Sequence, residues 1–121
     1  MNATPVSRTK QSLTLVGRLM LIEAVTFAIA SILHFGVAET FIAAAIPEGI
    51  IAVVLGVGAI AVMRRGSWWL GLATTLFALA GVIIGLSVII GGPVSRPVDL
   101  VYHATIFVAL VVTVVLLLRS R

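Results

Sequence analysis

Six side chains in this 121-residue sequence belong to the types that hold metal ions or exchange protons near neutrality: Glu23, His34, Glu39, Glu48, Asp99 and His103. Asp99 and His103 are four residues apart, which on a helix places them on one face. At that spacing a carboxylate can orient an imidazole, or both can reach one ion. Two histidines with carboxylates nearby form a ligand set that a divalent metal such as zinc, iron or manganese accepts. His34 and His103 would also serve as the axial pair of a single haem b, with Arg96 near a propionate. Cysteine is absent, which excludes disulfides, thiolate metal sites and iron–sulfur clusters.

Those residues have to be positioned by a chain that is 61% apolar and only 10% charged. Soluble domains carry about a quarter charged residues. A membrane-spanning helix needs about 20 apolar residues, and four such runs are present, over about 13–35, 46–63, 67–90 and 98–118. What is left within these residues suffices for short loops, a polar tail over 1–12 and a basic end over 119–121. A soluble enzyme and a nucleic-acid-binding module are excluded, so the net charge of +4 reads as a topology signal. Arg8, Lys10, Arg18, Arg64, Arg65, Arg119 and Arg121 fall on one side of four spans, and Arg96 alone on the other. The positive-inside rule then predicts both termini in the cytoplasm, in a multi-pass protein of a bacterial-type plasma membrane. The predicted fold is an all-α bundle of four transmembrane helices arranged as two hairpins. Trp68 and Trp69 are expected at the inner interface and Tyr102 at the outer one.

Punctuation between the runs is clear. The short turn Arg64-Arg65-Gly66-Ser67 makes the second and third helices antiparallel neighbours. Gly91-Gly92-Pro93 should end the third helix through a left-handed glycine cap, and Pro97 suits the first turn of the fourth. Sixteen residues from Glu48 to Met63 span only about 24 Å. The second helix is therefore expected to reach back beyond Pro47 instead of leaving residues 40–46 as a separate interfacial helix.

In lipid, small residues mark close helix approach. Gly71, Thr74, Ala78, Gly81 and Gly85 form one such stripe; Gly49, Ala52, Gly56 and Ala59 form another. The stripes are expected to pack on each other, or each on the first helix through Ala24, Ala28 and Ser31.

With this topology, His34, Glu39, Glu48, Asp99 and His103 gather near the outer interface. Glu48 and Asp99 each fall in a first helical turn, where a negative charge also complements the helix dipole. Glu23 differs, because it lies near the middle of the first span, where an ionised carboxylate costs about 2.5–3.5 kcal/mol. It is expected to face the bundle interior, as a proton or cation site or as an interhelical hydrogen-bond acceptor for Thr74, Thr75 or Thr113. Glu23 and His34 are eleven residues apart, so they share a face to within about 20° and are about 16 Å apart along the axis, with Phe27 and Ala30 between.

The functional expectation is a small integral membrane protein with an outward-facing polar cavity that binds, or carries, an ion, metal or small ligand. The lipid bilayer and a second copy or partner membrane subunit are the expected associates. A non-catalytic accessory or scaffold subunit is the alternative, and a single-haem electron-transfer subunit a further one. No nucleophile or substrate motif supports an enzyme.

Overall fold

The computed structural model describes residues 5–37, 40–92 and 96–121. They form four α-helices: α1 (Pro5–His34), α2 (Ile42–Arg65), α3 (Trp68–Gly91) and α4 (Pro97–Arg119). Each is long and apolar enough to cross a membrane. The helices form a ring in chain order, with α1 on α2, α2 on α3, α3 on α4, and α4 returning to α1. The α1–α2 seam is the most extensive, and the α1–α4 seam that closes the ring is the thinnest of the four. Burial is uneven: 44% of the most apolar stretch of α1 is buried against 17% of that of α3. The core runs along Val16, Met20 and Phe27 of α1, Leu55 and Val62 of α2, Ala78 and Val82 of α3, and Leu110 and Leu117 of α4.

Helix ends follow the local sequence, with informative departures. α1 begins at Pro5, a residue type suited to a first turn, so residues 5–12 of the expected tail are helical. α2 starts at Ile42 and carries Pro47 inside it, which gives it the length that the run after Pro47 lacks. Gly66 closes α2 with φ 63°; its N–H donates to the Val62 carbonyl and the N–H of Ser67 to the Ala61 carbonyl. Gly92 does not form the expected left-handed cap. Its φ of −82° and ψ of 160° are extended, the conformation that a following proline, here Pro93, imposes. Pro47 and Pro97 thus occupy different places, one within a helix and one at a helix start.

The small residues act one at a time. Gly71 receives Val62 of α2 and Leu117 of α4, and Gly81 receives Ile51. Gly85 lies under the His103 ring, Gly49 against the Ser31 hydroxyl of α1, and Ala78 is fully buried. The glycines of α2 and α3 therefore do not face each other as two matched stripes. Gly56 is a correction: a Cβ there would meet nothing within 4 Å, whereas at Gly58 it would collide with Thr74 of α3 and crowd Met20 of α1. The 3-4 pattern chose the wrong glycine, because an α2 contacted on two sides does not keep one strict stripe.

Candidate functional site

His34 closes α1, Glu48 follows Pro47 near the start of α2, and Asp99 and His103 occupy the first turns of α4. The connections bring all four to the same end of the ring, around a cavity of about 240 Å³. The α1 stripe turns inward as its spacing predicts, with Glu23, Phe27 and Ala30 buried and His34 half-buried. The cavity walls are largely apolar, formed by Ala43, Ala44 and Ile51 of α2 and by Val82, Ile84, Val88 and Ile89 of α3; Phe27 and Phe41 add aromatic carbon.

Within this setting His34 Nδ1 donates to Glu48 Oε2 at 2.7 Å. Glu48 is 5% exposed, and its other oxygen, Oε1, is buried without a hydrogen-bond partner among the described residues. A buried carboxylate oxygen left without a donor is costly and rare, so the position favours a donor arriving from elsewhere. The His103 ring is oriented differently from the sequence expectation. Its Nδ1–H donates to the backbone carbonyl of Asp99 at 2.9 Å, so the carboxylate of Asp99 is not what aligns it. The Nε2 edge of that ring rests over Gly85, where a Cβ would stand 2.7 Å from Nε2. Gly85 is therefore the space that admits the imidazole.

Tyr102, half-buried near the start of α4, turns its ring into the bundle. Its ring meets Phe27 edge-on at 6.3 Å and His103 at 5.0 Å, and its hydroxyl is buried without a partner among the described residues. Glu23, deeper in the bundle and 2% exposed, accepts a hydrogen bond from Thr113 of α4 at 2.8 Å through Oε1, while Oε2 has no partner among the described residues. Of the three threonines at matching depth only Thr113 reaches it. Thr74 and Thr75 donate instead to carbonyls of their own helix.

Glu39 lies outside the described residues. Among those described, no three His, Asp or Glu side chains come together in a way that could hold a metal ion. The expected ligand set is thus divided. His34 is engaged with Glu48, and His103 is turned onto Gly85 by its bond to a backbone carbonyl. Phe41, Ile51 and Val82 are wall residues that sequence reasoning did not single out, since an apolar residue on a cavity wall reads like any other core residue. No protein family matches the chain, and neither a curated protein nor a solved structure shows significant similarity to it.

Proposed function

We propose that this chain is a multi-pass membrane protein with both termini in the cytoplasm, which binds a small molecule in the cavity between α1, α2, α3 and α4 at its outer end. The observation that carries the reading is a 240 Å³ space bounded by the His34–Glu48 pair, Asp99 and His103, with a buried Glu48 oxygen lacking a partner among the described residues. Apolar walls with a few convergent polar groups are the usual make-up of small-ligand sites. The orientation is supported by the distribution of Lys and Arg. The 2.8 Å bond between the Ser12 and Ser120 hydroxyls, joining the start of α1 to the end of α4, agrees with an even number of spans. Transport of the bound molecule would need an exit past Glu23, whose bond to Thr113 supports an interhelical hydrogen bond as its main role.

Because the native chain contains no cysteine, single cysteines report on both parts of this reading. In intact cells, Arg96→Cys should react with an impermeant maleimide, and Ser67→Cys only after permeabilisation; the reverse would overturn the topology. Ile51 lines the cavity, whereas its neighbour Ile50, at the same depth, is half exposed on the outer face of α2. Ile51→Cys should react with water-soluble methanethiosulfonates of one charge or the other, and Ile50→Cys should be shielded by lipid. Equal protection of the two positions from both reagents would remove the cavity as a binding site.

A further inference from the structure

The cavity's wall chemistry specifies more than its size. Two carboxylates line it, Glu48 and Asp99, beside the imidazoles of His34 and His103, and no lysine or arginine lines it among the described residues. Glu48 uses one oxygen on His34 and keeps the other buried and without a donor among the described residues. A calcium or magnesium ion fits poorly, because such ions take six or more oxygen ligands and most of this wall is hydrocarbon. An anion would meet two carboxylates. A neutral hydrogen-bond donor could reach Glu48 Oε1, but a charged donor makes the stronger bond to a carboxylate and is also attracted by Asp99.

Resting on the binding reading above, we infer that the site takes a small organic ammonium, with its N–H directed at Glu48 Oε1 and its hydrocarbon body against Ile51, Val82 and Phe27. Asp99, on the far side of the cavity in α4, contributes charge at longer range. The close seating of His103 on Gly85 limits the space, so a one-ring or short-chain amine fits better than a larger drug-like molecule.

The test uses full-length Ile51→Cys protein in detergent micelles, with three probes of one shape and different charge: benzylammonium, benzyl alcohol and benzoate. A one-signed cleft concentrates counter-ions by about tenfold or more, so the rate ratio of cationic to anionic methanethiosulfonate should exceed their ratio at a free thiol in solution by about tenfold. Benzylammonium should then block the reaction, while equal concentrations of benzyl alcohol or benzoate leave it unchanged. Glu48→Gln in the same background should abolish protection by benzylammonium, and Asp99→Asn should weaken it. Ala44→Cys, also on the wall, serves as a second reporter if Ile51→Cys disturbs the core. Equal protection by the alcohol, protection by benzoate, or no protection by any probe would overturn the ammonium assignment while leaving the cavity intact. Absence of thiol reaction at both wall positions would instead overturn the cavity itself.

Discussion

The two seams that α1 makes with its ring neighbours are built on different principles. Along α1–α2 the backbones approach through small residues: Gly17 receives Met63, Gly49 receives the Ser31 side chain, and Ser31 donates to the Ala45 carbonyl at 2.7 Å. Along α1–α4 the approach is looser and is stitched at intervals by Ser12–Ser120 at one end, Glu23–Thr113 in the middle, and Phe27 edge-on to Tyr102 toward the other. Lipid gives helices no hydrophobic reason to associate, so association rests on close packing or on polar contacts. α1 uses the first on one side and mostly the second on the other. The cavity lies beyond Phe27 at the end of the ring away from Ser12 and Ser120, with most of its wall supplied by α2 and α3.

The sharpest break in the packed part of the bundle is at Gly58, where α2 meets Thr74 of α3 and Met20 of α1. A Cβ there would sit 2.8 Å from Thr74 Cβ, an atom fixed to the α3 backbone, so no rotamer change can relieve the clash and the helices have to separate. Gly58→Ala should lower stability by about 3 kcal/mol, the upper part of the range for overpacking. The readout is the SDS fraction that unfolds the protein in mixed micelles. A variant as stable as the wild type would show that the bundle breathes enough to admit a methyl group, and the packed-seam account would fail.

The stitched seam should respond less. Glu23→Ala removes the acceptor of the Thr113 hydroxyl, but threonine in a helix can turn back to a carbonyl of its own preceding turn. Interhelical hydrogen bonds in membranes average about 0.6 kcal/mol and reach about 1.7. With the lost side-chain packing, a decrease of about 1–2 kcal/mol is expected in the same titration. Glu23→Gln keeps a carbonyl oxygen for Thr113 and should stay close to wild type. If Gln destabilises as much as Ala, the carboxyl group itself is needed, and the proton or cation role of Glu23 gains over the hydrogen bond. Smaller again is Ser12→Ala, which loses a single part-buried contact near the helix ends and should change stability by less than about 1 kcal/mol.

How far the sequence reached is explained by what each feature depends on. Four helices and their turns depend on local composition, so Arg64–Ser67, Pro97 and the extension of α2 before Pro47 were legible. The inward face of α1 was too, because Glu23, Phe27, Ala30 and His34 keep one phase along a continuous helix. Pairings between helices depend on the rotation and depth of each one, which no local pattern records. Glu48 was therefore assigned to the right end of the bundle without its bond to His34. Asp99 was given an orienting role that its own backbone carbonyl performs. Tyr102 carried a belt residue's composition, yet its place one turn into α4 and beside His103 turns it onto Phe27.

Gly56 gives the smallest expected effect and the most direct check on how glycines should be read in this bundle. It shares a helix with Gly58, two residues away, and the sequence pattern favours Gly56 as the packing position. Two residues correspond to about 200° around a helix, so the two glycines cannot both face one neighbour. At Gly58 a Cβ strikes α3, and at Gly56 it reaches open space. Without a collision, the remaining influence of Gly56→Ala is on the helix itself, where alanine is favoured over glycine by up to about 1 kcal/mol. The variant should unfold at the same SDS fraction as the wild type or a slightly higher one, in the same experiment in which Gly58→Ala unfolds early. A large loss at Gly56 would mean that something outside this chain packs there, a second copy or another membrane subunit, and a concentration-dependent midpoint would identify the second copy.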